Sequence, residues 1–222
     1  MMKKRTFFAI VTVVLSLFSL FACDSWLGVN VTQEAQLKKM QLKIAQFVKP
    51  DLFVREIRMT SADERAKDIM GKLFITYTDA LASNRLKEMT IDICEWKLIE
   101  EREIKIADPE TFVRERDGSG KVFVSITDCD LTMVASICRQ AMKQVEAQDM
   151  KYAGIEYFSI SYREAEPTYE FMMSGRPNGS GVTSKGRYSA IYYYEVLFQT
   201  GQDGNLDMSV GKELKVKRGD LI

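Results

Sequence analysis

Carboxylates are the most numerous side chains in this chain that could do acid-base chemistry. Glu95, Glu100, Glu101 and Glu103 form one group and Glu164, Glu166 and Glu170 a second, and two of them at the right separation would serve as general acid and base. Nothing in the spacing selects a pair. A charged, solvated face accounts for both groups, because Glu is almost never fully buried unless paired. Histidine is absent, which removes Ser-His-Asp and Cys-His catalysis and histidine metal sites together. No serine has a G-x-S-x-G frame, and a Ser-Lys dyad is neither selected nor excluded.

Two glycine-rich stretches, Gly175 to Gly186 and Gly118-Ser119-Gly120-Lys121, invite comparison with a phosphate-cradling loop. That loop needs Gly immediately before Lys and Ser or Thr immediately after it. Lys185 follows Ser184 and precedes Gly186, and Lys121 precedes Val122, so both stretches read as hairpin loops. Asp203-Gly204-Asn205-Leu206-Asp207 opens like a calcium loop, but Met208 stands where the turn needs Gly and Leu214 where a bidentate Glu is needed. No catalytic, cofactor-binding or metal-ligating residue is therefore assigned.

Tyrosine is more informative. Eight of the nine lie in the last third of the chain, and Tyr192, Tyr193 and Tyr194 are consecutive. In a strand such a run sends at least one ring to each face. A rigid amphipathic ring beside the Gly/Ser-rich segment Ser174 to Arg187 suits contact with a protein or a glycan. The expected binding surface is Tyr192, Tyr193 and Tyr194 with Arg176, Lys185 and Arg187. The plainer alternative has the rings covering a core edge with their hydroxyls in water.

These residues need elements to hold them. Leu37, Met40, Ile44 and Phe47/Val48 recur at helical spacing, predicting a helix over 31–48 that Pro50 stops. Leu131, Val134, Cys138, Met142 and Val145 predict a second over 130–148, with Thr127 and Asp130 in the form of a capping box. Phe53, Arg55, Ile57 and Met59, then 73–78, then Met89, Ile91 and Ile93 read as strands. Residues 155–162, 169–173, 188–200 and 206–210 read likewise. Thr111 to Ile126 reads as a hairpin about Asp117-Gly118-Ser119-Gly120. Between Cys94 and Lys105, helix propensity conflicts with strand-like alternation, and the type stays open.

The fold class is α+β, with helices packed on antiparallel sheet. Two halves, 31–128 and 129–222, share an order of helix then strands, with Leu73-Phe74 echoing Leu197-Phe198 and Leu86 to Met89 echoing Leu206 to Met208. A duplicated unit and a single domain both fit that order.

At the amino terminus, Lys3, Lys4 and Arg5 precede an apolar run of 16 residues from Phe7 to Ala22, shorter than the ~20 a spanning helix needs. This is the form of a secretory signal. The run ends in Leu20-Phe21-Ala22-Cys23, which resembles the lipobox of bacterial lipoproteins over residues 1–23. The resemblance implies removal of 1–22, a diacylglycerol on the Cys23 sulfur and a short tether over 23–30. Its family context places the chain in the bacterial cell envelope, held to a membrane through lipid and either periplasmic or surface-exposed. Cys94, Cys129 and Cys138 then remain, without a C-x-x-C, and read as small buried hydrophobes in preference to one disulfide with a thiol left over.

Loss of Lys3, Lys4 and Arg5 leaves 28 basic against 31 acidic side chains, and Lys215-Val216-Lys217-Arg218 is too short a basic run for a nucleic-acid footprint. A nucleic-acid partner is not expected. The expected function is a non-enzymatic, lipid-anchored binding or adaptor module for a protein or glycan, needing no cofactor. The alternatives are an envelope enzyme using a carboxylate pair or Ser-Lys dyad, and a small-ligand carrier.

Overall fold

A computed structural model of the chain describes residues 28–62, 68–79, 85–105, 123–162, 166–178, 182–185, 188–200 and 205–218; side chains are described throughout these except at 182–185, 188–192 and 212–218. The elements are β1 (Val29–Asn30), α1 (Glu34–Phe47), β2 (Phe53–Ser61), β3 (Ile69–Thr78), β4 (Leu86–Asp92), β5 (Lys97–Ile104), β6 (Val124–Ser125), α2 (Met133–Ala147), β7 (Met150–Ser161), β8 (Thr168–Pro177), β9 (Val182–Lys185), β10 (Tyr188–Thr200) and β11 (Leu206–Arg218). Every ladder among them is antiparallel. The protein is α+β with the sheet dominant.

The path through the sheet is β11-β10-β8-β7-β2-β3-β4-β5, with β1 on β3, β6 on β2 and β9 on β10. In chain order each helix precedes a four-strand meander, β2 to β5 after α1 and β7, β8, β10, β11 after α2, and the meanders meet where β2 pairs with β7. The residues that echo each other in sequence sit on unlike strands. Leu73-Phe74 is on the second strand of its meander and Leu197-Phe198 on the third.

A different likeness precedes the helices. The Asn30 side-chain oxygen accepts from the backbone N–H (2.9 Å) and hydroxyl (2.7 Å) of Thr32, and Asp130 Oδ1 accepts from the same two groups of Thr132 at 2.9 and 2.7 Å. Asx turns of this kind compete with helix, so α1 starts at Glu34 and α2 at Met133, later than the periodicity predicts. Thr127 is not a cap: Ile126–Asp128 form a 3-10 turn, and α2 begins without a side-chain cap. Both helices bury one stripe, Leu37, Met40 and Ile44 in α1 and Val134, Ala135, Cys138, Ala141 and Val145 in α2.

Other readings are settled, shifted or left outside the described residues. Residues 97–104 form a strand, turned back on β4 at Asp92, whose Oδ1 accepts from the N–H groups of Cys94 (2.8 Å) and Glu95 (3.0 Å). In β2 a bulge between Val54 and Glu56 shifts the alternation, so Val54, Ile57 and Met59 are buried and Arg55 is not; a bulge adds one residue and changes the side-chain phase. Between Ser174 and Arg187 the described residues are mostly strand, with β8 running to Pro177 and β9 pairing with β10. The expected hairpin at 111–126 lies mostly outside the described residues, and its end, β6, pairs with Phe53 and Val54 of β2.

Buried side chains of both helices and of the strands' inner face form one core. Phe198, Phe171, Phe158, Met59, Leu73 and Ile91 lie in register across six neighbouring strands. The three phenylalanines stack, with centroids 5.3 Å apart for Phe158 and Phe171 and 5.0 Å for Phe171 and Phe198. Cys94, Cys129 and Cys138 are free thiols, the last two buried. Burial pushes the Cys129 thiol up to about 11, and raises that of Cys138 as well.

Candidate functional site

Side chains alternate along a strand, so the row next to the apolar one faces the other way. It reads Asp207, Gln199, Glu170, Ser159, Arg58, Phe74, Thr90 and Glu100, in register across all eight strands of the path. A parallel row holds Thr168, Ser161, Glu56, Thr76, Glu88 and Arg102. No helix among the described elements lies on this outer face; one corner carries a small apolar cluster of Leu86 and Phe123 with Phe53 and Ile104.

Its centre is held by charge. Glu88 is buried and accepts from Arg102 through Nη2 (2.8 Å) and Nε (3.2 Å), while Arg58 Nη2 stands 3.8 Å from its other oxygen. The Arg58 guanidinium lies 4.7 Å from the centroid of Phe74, a cation-π contact. Both arginines leave the carboxylate well satisfied, so this cluster pins β2, β4 and β5 together and leaves no reactive group.

Toward β7, β8 and β10 the face falls into an open depression of about 500 Å³, lined by Glu56, Ser159, Ser161, Thr168, Tyr169, Glu170, Gln199 and Thr200. Ser159 Oγ donates to Glu56 (3.0 Å), and Glu170 accepts from the Tyr157 hydroxyl on one oxygen (2.8 Å) and from Gln199 Nε2 on the other (2.7 Å). Burial, then the Glu170 carboxylate, raises the Tyr157 hydroxyl above its ordinary range. Thr200 Oγ1 accepts from the Tyr169 N–H at 3.0 Å. The Ser161 Oγ is sealed from solvent and has no hydrogen-bond partner.

Of the residues expected to bind, Tyr194 packs against the core and Tyr193, next along β10, takes the opposite side of the strand; both are half-buried. Arg176 is half-buried near the end of β8. The side chains of Tyr192 and Lys185, and all of Arg187, lie outside what is described. Tyr193 and Gln199 are six positions apart on β10, about 20 Å of strand, so the tyrosines and the depression occupy different ends of it. Of the acids singled out in the sequence, Glu170 is in the depression, whereas Glu100, Glu101 and Glu103 lie on the edge strand β5. Among the described residues no three His, Cys, Asp or Glu side chains form a metal-holding group, and no helix is long and apolar enough to cross a membrane.

No protein-family model matches the sequence, and no curated protein matches it. Among solved structures it is similar to a candidate lipoprotein from Clostridium difficile 630, at 13% identity over 86% of this chain and 95% of that one, with a TM-score of 0.34. No family is shown. A likeness that loose brings neither fold nor function to this chain, whose outer face has to be judged on its own residues.

Proposed function

We propose that the chain is a lipid-anchored protein of the bacterial envelope, joined to its membrane through Cys23, and that its body is a non-enzymatic binding or adaptor module for a protein or glycan partner. The observation that carries the binding reading is the sidedness of the sheet: an apolar row buried in one core with the helix stripes on one face, and on the other an in-register row, polar except for Phe74, crossing eight strands with no described helix over it. Such a face stays rigid because each strand is hydrogen-bonded to its neighbours. It presents many fixed donors and acceptors, as recognition surfaces do. The anchor rests on the short apolar run and on Leu20-Phe21-Ala22-Cys23. The order of helix and meander, and the matching Asn30/Thr32 and Asp130/Thr132 turns, support reading 31–128 and 129–222 as two copies of one unit.

Photocrosslinking residues placed in living cells at Gln199 and Asp207 of the outer face, and at Lys38 and Gln140 of the helices, test the binding reading. Adducts are expected from the first pair. Adducts from the helix positions alone would overturn it.

A further inference from the structure

Resting on the binding reading above, the chemistry of the depression narrows the partner. Its lining holds hydroxyls, amide and carboxylates and no lysine or arginine, and its volume of about 500 Å³ is in the range of small-ligand sites. The two carboxylates are held in place from within the chain: Glu56 by Ser159, and Glu170 by Tyr157 and Gln199 on its separate oxygens. They therefore present oriented acceptors that repel an anion. Gln199 spends one N–H on Glu170 and, being exposed, keeps its second N–H and its carbonyl for another molecule.

Ser161 is the telling residue. Its hydroxyl makes no hydrogen bond and no water reaches it, although the residue lines the depression and is itself only half-buried. A buried hydroxyl without a partner costs about 1–3 kcal/mol. Rotation of χ1 between staggered wells can bring the oxygen to the opening without breaking any bond, and there it offers one donor and two lone pairs. An ammonium group can use only the lone pairs, and an anion only the donor. A sugar hydroxyl uses both, and so matches Thr168 as well, whose hydroxyl can give and receive, while Ser159, its proton spent on Glu56, keeps a lone pair to accept with. We infer that this end of the outer face is a saccharide subsite that takes one or two neutral sugar residues by their hydroxyls.

The test uses the full lipidated chain in a zwitterionic detergent without a sugar headgroup. Saturation-transfer NMR is recorded with maltose, cellobiose, lactose and N,N′-diacetylchitobiose, and separately with a tetralysine peptide. At least one disaccharide should receive saturation, and Ser161→Ala and Gln199→Ala should each weaken its binding by about tenfold, the worth of one well-made hydrogen bond. Lys38→Ala, on the exposed side of α1, should leave it unchanged. Because the Ser161 hydroxyl has no partner, its removal should not lower the melting temperature, and the exposed Gln199 gives a second variant that folds on independent grounds. Silence from all four disaccharides overturns the inference, as does a signal that survives both substitutions, or a tetralysine signal lost in Glu170→Gln while the sugars give none. If the crosslinks from Gln199 and Asp207 persist while no disaccharide binds, the binding module stands and the saccharide subsite alone falls.

Discussion

Replacing Phe171 by Ala probes whether the face bearing the phenylalanines is the inner one, on which the assignment of the outer face depends. Phe171 is fully buried, and its ring lies between Phe158 and Phe198 at 18° and 10° to their planes. Truncating a buried Phe to Ala costs about 3–5 kcal/mol, and two ring pairs worth about 0.5–1.5 kcal/mol each put this site in the upper part of that range. Phe171→Leu keeps most of the buried volume and loses both ring pairs, for about 1–3 kcal/mol. The difference between the two variants separates burial from stacking. On the other face, Phe74 is half-buried beneath Arg58, and Phe74→Ala should cost about 1–2 kcal/mol. Urea unfolding followed by near-ultraviolet circular dichroism measures all three, with an unchanged slope as the check on two-state behaviour. A melting-point fall of about 8–20 °C should accompany Phe171→Ala, at about 2–4 °C per kcal/mol for a domain of this size. Should Phe74→Ala prove more damaging than Phe171→Ala, the two faces have been assigned the wrong way round, and the case for an outer binding surface goes with them.

Labelling with a fatty-acid precursor should tag the wild-type chain and leave Cys23→Ser untagged; a mature amino terminus anywhere but at Cys23 would refute the anchor. Gly28→Ala should destabilise by about 2 kcal/mol or more, because Gly28 has φ +82° and a Cβ there would lie 2.2 Å from the Met70 carbonyl oxygen; amide exchange at Val29 and Asn30 should rise with it, and unaltered exchange would contradict the β1–β3 pairing. Stability should fall as pH rises from about 9 toward about 11, since the unfolded Cys129 thiol sheds its proton near the ordinary cysteine value while the folded one holds it to about 11. Cys129→Ala should reduce that slope, and an unchanged slope would count against a buried Cys129. In native protein at pH 8, iodoacetamide should reach the half-buried Cys94 well before Cys129 or Cys138; faster labelling of either buried thiol would contradict their place in the core.

Both helices were legible because their apolar stripes repeat at three and four residues, and Leu37, Met40, Ile44, Val134, Cys138 and Val145 are all buried. Their starts were not, because the Asn30/Thr32 and Asp130/Thr132 turns hold residues of good helical pattern outside the helix. Residues 97–104 resisted reading for a related reason. Seven of the eight positions are exposed, so the edge strand has no apolar face to reveal, and its Glu and Arg residues favour helix until the ladder with β4 overrides them. Of the depression's side chains only Glu170 was singled out in the sequence, as one acid among several. Glu56, Ser159, Glu170 and Gln199 come from four strands, and only the order of those strands puts them side by side. The signal within reach was the polar residue at every second position of each strand; what was missing was which strand lay beside which.

The β2–β7 seam has a consequence for how the chain folds. Within each meander successive strands pair with near neighbours in sequence, whereas seam pairs such as Met59 with Phe158 are roughly a hundred residues apart. Closing so long a loop spends chain entropy before the seam's contacts repay it. The two meanders should therefore take shape early and separately, and the slow step should be their docking edge to edge. Changes at Ile57, Met59, Phe158 or Ile160 would then slow folding in proportion to the stability they remove, while changes at the outer hairpins, β4–β5 and β10–β11, would mainly hasten unfolding. Until docking, each half shows an unpaired strand edge flanked by apolar side chains, the kind of surface that templates aggregation. That interval is when the chain would most depend on chaperones.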